Sequence, residues 1–138
     1  MWTTSAWTLL PDYVDAARRA NSDPRRRFAV HDLLADPLPP ADLVLCRDLL
    51  VHLSFDEVHR LLARIADSGS RYLLTTTFTD RTSNMDIEHG NWRPLNLCLP
   101  PFDLPSPVEL LVEGCAEEDG IYADKSLGLW RVEALPVR

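Results

Sequence analysis

The apolar residues of this chain occur in short continuous runs and at helical spacings, a pattern that predicts alternating strands and helices. Residues 43–46 form a continuous apolar run, which is typical of a parallel strand buried on both faces. Ser54 and Glu57 then form a capping-box pattern that predicts a helix start. The apolar residues of this predicted helix recur on one face as far as Gly69: Val58, Leu61, Leu62 and Ile65.

Strands and one further helix are predicted on either side of this segment. Residues 6–10 are predicted to form the tail of a strand, and Pro11 and Asp12 then predict the start of a helix that ends near residues 21–24. Residues 28–30 predict another strand. The β-branched and aromatic run at residues 72–78 predicts a central strand with a polar carboxyl end.

The C-terminal third combines a long segment without periodicity and a predicted hairpin. Residues 79–107 show no sustained apolar pattern and contain five of the eleven prolines. Their aromatic and aliphatic residues favour an ordered loop that covers the cleft. We expect a helical turn at 108–112, a strand at 112–117, a turn at 118–120 and a final strand at 127–132.

Composition narrows the class of protein. The length of 138 residues with 46% hydrophobic residues predicts one globular domain over residues 1–138. A net charge of −7 argues against a nucleic-acid partner. The basic cluster at residues 25–27 is either a solvated lead-in to a strand or a phosphate site, the former being favoured.

Cysteine usage and the chain's apolar runs bear on metal binding and location. Cys46, Cys98 and Cys115 lack the paired spacing of zinc sites, so we expect no metal and three reduced, buried thiols. The N-terminus lacks the pattern of a leader, and no apolar run has membrane-spanning length. A cytoplasmic protein without a membrane partner is expected.

The segment Asp-Leu-Val-Leu-Cys-Arg-Asp-Leu-Leu-Val-His-Leu at residues 42–53 resembles the fourth strand and following loop of class I S-adenosylmethionine-dependent methyltransferases. Residues 28–33, 71–78 and 112–132 are similar to the family's third strand, fifth strand and closing antiparallel pair, in the family's order. The resemblance implies an α/β fold, a truncated doubly wound, Rossmann-like sheet ending in an antiparallel hairpin.

The front of the chain departs from the family. Such enzymes carry a first strand followed by a glycine-rich turn, whereas the first glycine here is Gly69. Thr8 occupies the closest register to the family's ribose-binding acid. We therefore expect a domain that lacks the first strand and helix, and self-association through an exposed sheet edge.

The resemblance implies S-adenosylmethionine as the cofactor, bound by residues at the ends of the predicted strands at 28–30 and 43–46. The cofactor-binding candidates are Asp32, Leu33, Cys46, Arg47, Asp48 and His52. Asp32 would accept a hydrogen bond from the adenine amine, or else serves as a cap or turn residue. His52 is either part of the site or, as is commoner for a lone histidine in apolar surroundings, a hydrogen-bonded core residue.

The long loop supplies the candidates for binding the methyl acceptor, because the segment after the family's fifth strand commonly shapes that site. The substrate-binding candidates are Asn84, Asp86, Trp92, Arg93 and Asn96. The alternative is that these polar groups satisfy buried backbone groups of the loop itself. No catalytic residue is assigned, since methyl transfer mainly requires alignment of the acceptor and exclusion of water.

Two functions are consistent with the sequence. The first is methyl transfer from S-adenosylmethionine to an unknown acceptor, provided that the cofactor site is completed from elsewhere. The second is a non-catalytic remnant or binding module that does not hold the cofactor alone. The absence of a glycine-rich turn favours the second function.

Overall fold

A computed structural model describes residues 3–137 of the chain. Met1 and Trp2, on which part of the expectation about the N-terminus falls, lie outside the described residues. The chain divides into two compact units, Met1–Pro37 and Leu38–Arg138. Each unit is described by itself, and the single domain expected from the sequence stays a prediction.

The first unit is a strand–helix–strand motif. Strand β1 covers Thr4–Thr8, helix α1 covers Pro11–Ala20, and strand β2 covers Arg26–Val30 and pairs in parallel with β1. Pro11 occupies the first turn of α1, where its missing N–H costs no hydrogen bond. The Arg18 guanidinium donates to the carbonyl of Phe28 at 2.8 and 3.1 Å, which ties α1 to β2.

The second unit is a mixed four-stranded sheet with one long helix. Its strands are β3 (Leu43–Cys46), β4 (Tyr72–Phe78), β5 (Glu109–Val112) and β6 (Lys125–Arg131), in the order β3-β4-β6-β5. β3 and β4 are parallel, whereas β6 is antiparallel to both β4 and β5. The predicted α/β class and the closing antiparallel strand pair are thereby confirmed.

Helix α2 covers Phe55–Asp67 and connects β3 to β4. The predicted capping box is present: Ser54 Oγ accepts from the Glu57 N–H at 3.3 Å, and a Glu57 carboxylate oxygen accepts from the Ser54 N–H at 2.9 Å. The four predicted apolar residues of α2 are all buried. Local sequence thus defines where α2 begins and which face it buries.

The predicted burial of β3 on both faces is wrong. Cys46 is buried, but Leu43 and Leu45 are 49% and 59% exposed. Among the described residues, β4 is the only strand that pairs with β3, so β3 is an edge strand. Successive side chains of a strand point to opposite faces, and the face that carries Leu43 and Leu45 is only partly covered.

The predicted positions of the last two strands also need correction. Residues 109–112 form β5 rather than a helical turn, and residues 113–117 lie outside it. The N–H of Val108 donates to the Leu129 carbonyl at 2.7 Å, so pairing with β6 starts before β5 itself. β6 begins at Lys125, two residues before the predicted start. Local apolar spacing was misleading because cross-strand hydrogen bonds decide the conformation here.

The segment 79–107 contains no helix or strand in the structure, yet it packs through apolar side chains. Leu95, Leu97, Phe102 and Leu104 are all buried. The Phe78 N–H donates to the Leu95 carbonyl at 2.8 Å, which joins this loop to the end of β4. The loop is therefore an integral part of the second unit.

Candidate functional site

A cavity of about 420 Å³ lies in the second unit, beyond the carboxyl ends of β3 and β4. In α/β sheets this edge is where ligands commonly bind. The residues that line the cavity are Asp48, His52, Phe78, Trp92, Cys115, Glu117, Glu118, Tyr122 and Lys125. Asp48, His52 and Trp92 were predicted as site residues from the sequence.

Asp48 is held firmly at the cavity by its backbone and its carboxylate. It adopts a left-handed conformation with φ 55°, and its N–H donates to Thr76 Oγ1 at 2.8 Å. Its Oδ1 lies 2.8 Å from Lys125 Nζ. This hydrogen bond raises the pKa of Lys125. The threonine-rich end of β4 thus positions Asp48, in the segment between β3 and α2.

A second ion pair lies beside the first. Arg47 Nη2 is 2.8 Å from Glu113 Oε1, and this contact raises the pKa of Arg47. Lys125 Nζ lies 4.0 Å from the other Glu113 oxygen. Ionic contacts therefore connect the segment after β3 to the residues that follow β5 and begin β6.

His52 belongs to a short 3₁₀ turn at Leu50–His52. Its Nδ1 lies 3.0 Å from the Asn91 carbonyl oxygen, and a hydrogen bond between them requires a proton on Nδ1 because a carbonyl only accepts. The His52 carbonyl accepts from the Gly90 N–H at 2.9 Å. His52 thus both lines the cavity and anchors the long loop.

Three aromatic rings from distant parts of the chain meet at the cavity. Phe78 ends β4, Trp92 belongs to the long loop, and Tyr122 precedes β6. Their ring centroids lie 5.0 to 6.1 Å apart, and each pair of rings is close to perpendicular. Phe78 is buried, whereas Trp92 is 43% exposed.

Comparison with solved structures shows which fold carries this cavity. N-methyltransferase NodS from Bradyrhizobium japonicum WM9 matches with a TM-score of 0.62 and 12% identity over 94% of this chain and 72% of NodS. Human N-acetylserotonin methyltransferase, solved with SAM, matches with a TM-score of 0.61 and 16% identity over 94% of this chain and 40% of that protein. The fold is that of class I S-adenosylmethionine-dependent methyltransferases.

Sequence comparison adds one curated relative. The chain is 42% identical over 79 residues to the human "Probable bifunctional dTTP/UTP pyrophosphatase/methyltransferase protein". The match covers 51% of this chain and 13% of the relative. No protein-family profile matches the chain.

The predicted acceptor-binding residues of the long loop, Trp92 apart, contact neighbouring backbone rather than lining the methyltransferase-fold cavity. The buried Arg93 guanidinium donates to the carbonyls of Met85, Leu50 and Leu53 at 3.0, 2.9 and 2.6 Å. Burial lowers the pKa of Arg93. This geometry favours the structural alternative for Arg93, and its role in acceptor binding stays a prediction.

The other polar loop candidates have similar surroundings. Asn84 Nδ2 donates to the Asn96 carbonyl at 2.9 Å, while Asn84 Oδ1 accepts from the Asn96 N–H at 2.9 Å. Asn96 Nδ2 donates to the Arg81 carbonyl at 3.0 Å. Asp86 accepts from the N–H of Phe55, the first residue of α2, at 2.7 Å. These bonds order the loop itself.

Asp32 and Leu33 belong to the first unit. Asp32 Oδ1 accepts from the Leu34 N–H at 2.9 Å, and the Asp32 N–H donates to an Asp36 carboxylate oxygen at 2.8 Å. These contacts form a side-chain-stabilised turn, the alternative considered for Asp32. The adenine-binding role of Asp32 stays a prediction, as does a cofactor role for Leu33.

The cysteines are only partly as expected. All three are free, and Cys46 is buried, with a pKa that burial raises to about 11. Cys98, however, is exposed and Cys115 is half-buried, so the prediction of three buried thiols is wrong. Cys115 lies between β5 and β6 and reaches the cavity, which its sequence surroundings did not indicate.

The described residues do not supply a glycine-rich turn for S-adenosylmethionine. The five glycines of the sequence lie at positions 69, 90, 114, 120 and 128, and none falls between β1 and α1 or between β3 and α2. A Cβ-free backbone normally allows such a turn to approach the cofactor closely. Residues 3–137 therefore fit only part of this cofactor's site.

Residues 3–137 contain neither a metal-binding cluster nor a membrane-spanning helix. They contain no group of three or more histidine, cysteine, aspartate or glutamate side chains placed to hold a metal ion. Neither described helix is sufficiently long and apolar to span a bilayer.

Phe78, Tyr122, Lys125, Glu117 and Glu118 are cavity residues that the sequence did not single out. Phe78 carries a usable signal, since it ends a strand that was predicted to be central. The other four come from the connection between β5 and β6 or from the start of β6. Their position depends on the antiparallel register that pairs Phe78 with Lys125.

Proposed function

We propose that this chain contributes the acceptor-side part of a methyl-transfer site, at which a methyl group passes from S-adenosylmethionine to an acceptor. The observation that carries the proposal is the cavity at the carboxyl ends of β3 and β4, in a methyltransferase fold. The name of the human relative includes a methyltransferase, which supports the proposal.

The chain's own residues would align the acceptor and restrict water. When bound, S-adenosylmethionine supplies an activated methyl group, so a dedicated acid or base is not required. The Asp48–Lys125 ion pair fixes two side chains of the cavity lining, and the exposed ring of Trp92 adds an apolar surface. Holding the acceptor in a fixed position next to the methyl group would remove much of the activation free energy of a bimolecular reaction.

Completion of the cofactor site from another segment or chain is part of the proposal. Among the described residues β3 pairs only with β4, and the exposed Leu43 and Leu45 lie on this edge strand. An unpaired parallel edge can accept an additional strand. A second copy of the chain or another polypeptide could supply the strand and turn that residues 3–137 do not contain.

A non-catalytic binding module is the second candidate function. It is favoured by the positions of the glycines and by the turn contacts of Asp32, which engage one of its carboxylate oxygens. In this alternative the cavity still binds a small molecule, but S-adenosylmethionine does not bind specifically.

Titration of the chain with S-adenosylmethionine, followed by NMR, separates the two functions. We expect saturable binding on the order of millimolar, because several charge-assisted contacts are missing, with shifts at residues 46–52. S-adenosylhomocysteine should compete, and Asp48→Asn should weaken binding. If neither compound shifts residues 46–52, methyl transfer at this cavity is rejected in favour of the binding module.

A further inference from the structure

The three aromatic rings at the cavity are nearly perpendicular to one another. The ring planes of Phe78 and Trp92 meet at 85°, those of Phe78 and Tyr122 at 79°, and those of Trp92 and Tyr122 at 75°. Packing alone accounts for the buried Phe78. Trp92 packs nearly perpendicular to both other rings and is still 43% exposed, beside a cavity of about 420 Å³.

The charges that line the cavity favour a positively charged ligand. Asp48, Glu117 and Glu118 carry negative charge, and Lys125 is the one lysine or arginine among the lining residues. Lys125 is already paired with Asp48 at 2.8 Å and lies 4.0 Å from Glu113. The two remaining lining carboxylates, Glu117 and Glu118, are exposed. The lining therefore has an excess of negative charge.

The ring of Tyr122 already attracts a cation in this structure. The Arg81 guanidinium carbon lies 6.0 Å from the centroid of this ring, and Arg81 also pairs with Asp124 at 3.1 Å. Arg81 is not among the lining residues, so it does not fill the cavity. Aromatic faces bind organic ammonium groups well because the charge is diffuse and weakly hydrated.

We propose that this cavity binds a small organic ammonium compound, with its cationic group against the faces of Trp92 and Tyr122 and its charge balanced by Glu117 and Glu118. The inference rests on the cavity alone. Where the proposed methyl transfer also holds, the acceptor class is amines that carry at least one N–H proton. The bound ammonium would first release that proton to solvent, and the lone pair of the neutral amine would then form the new N–CH₃ bond as the sulfonium C–S bond breaks. A hard metal ion is a poorer ligand here, because it requires several converging oxygens, and residues 3–137 contain no group of three or more histidine, cysteine, aspartate or glutamate side chains placed to hold one.

Choline and its uncharged isostere 3,3-dimethyl-1-butanol form a matched pair of probes. They share nearly the same shape and differ in the positive charge. By calorimetric titration of the full chain, we expect choline to bind about tenfold more tightly than the alcohol, the size of effect that a partly desolvated cation–π contact gives. Equal affinities would show an apolar pocket without cation selectivity and would overturn the proposal.

Substitutions of residues that line the cavity test whether choline binds there. Trp92→Ala should weaken choline binding by about tenfold, Trp92→Phe less, and Glu118→Gln by a few-fold, since an exposed charge contributes modestly. Trp7→Ala, in the first unit, is the matched control and should leave choline affinity unchanged. Near-UV circular dichroism checks that each variant is folded. Choline affinity that is the same in wild type and the folded Trp92→Phe and Glu118→Gln variants would overturn the assignment.

A further titration tests whether the cavity binds an organic ammonium compound or the sulfonium group of the cofactor. S-adenosylmethionine and the uncharged-sulfur S-adenosylhomocysteine are titrated into wild type and Trp92→Phe. If only S-adenosylmethionine binds in a Trp92-dependent manner, and choline does not, the amine assignment is wrong. If choline binds and S-adenosylmethionine does not, the ammonium site stands and the proposed methyl transfer fails.

Discussion

Arg93 shows how a charged residue in a loop is used for structure. Its guanidinium lies among carbonyls from the loop itself and from the segment between β3 and α2, and its carbon is 5.6 Å from the ring centroid of Phe55. A planar group with five donors can satisfy several carbonyls at once, which lysine cannot do with the same geometry. Arg93 thus joins the loop to the start of α2.

We expect Arg93→Met to lower the free energy of unfolding by about 3 kcal/mol, because it leaves buried carbonyls without a donor. Urea denaturation measures this change. Arg60→Met, on an exposed position of α2, is the control and should cost less than about 0.5 kcal/mol. A folded Arg93→Met variant with unchanged stability but weaker ligand binding would instead support the acceptor-binding role predicted from the sequence.

At the scale of elements, the start of α2 is the boundary that the local sequence defines most clearly. Ser54 and Glu57 satisfy each other's backbone N–H groups, which would otherwise lack partners in the first turn. A Glu57 carboxylate oxygen also lies 2.8 Å from His89 Nδ1, so the same residue ties the long loop to α2. One residue therefore supports both the helix start and the loop.

Ser54→Ala should destabilise the chain by about 1 kcal/mol, the typical effect of losing an N-cap. Ser54→Asp should retain most of the stability, since its carboxylate can take the same hydrogen bond. Thermal unfolding followed by circular dichroism provides the measurement, with Ser83→Ala in the exposed part of the loop as the control. Equal losses for the alanine and aspartate variants would contradict a capping role.

At the scale of the whole molecule, exposed apolar residues and net charge act in opposite directions on association. The net charge of −7 disfavours close approach of two copies, but salt screens that repulsion. Leu43 and Leu45 are exposed on an edge strand, a combination that favours pairing between chains. We therefore expect self-association that strengthens with added salt.

Light scattering at micromolar concentrations should show species larger than the monomer, and Leu45→Lys should shift the population towards monomer. The lysine introduces a charge on the edge strand, which opposes pairing. Ile121→Lys, at a similarly exposed position in the connection between β5 and β6, is the matched control and should have no such effect. A clean monomer in the wild type would remove the basis for completion of the site by a second copy.

The sequence by itself determined the features that depend on near neighbours in the chain. The start of α2, the proline at the start of α1 and the strands at residues 43–46 and 72–78 were all predicted correctly. Capping bonds and helix faces involve residues three or four positions apart, so their signals lie within short segments. The motif at residues 42–53 also indicated the methyltransferase fold.

Only the tertiary structure decided the exposure of β3, the strand conformation of residues 109–112 and the composition of the cavity. Phe78, Trp92 and Tyr122 are far apart in sequence and meet because β6 pairs with β4 and the loop bonds to both β4 and the turn before α2. Likewise, an apolar run indicates that a strand can be buried, but the elements that pack against the strand determine whether it is buried. Strand pairing and loop packing between residues distant in sequence thus form the cavity to which we assign function. No short segment of the sequence encodes these contacts.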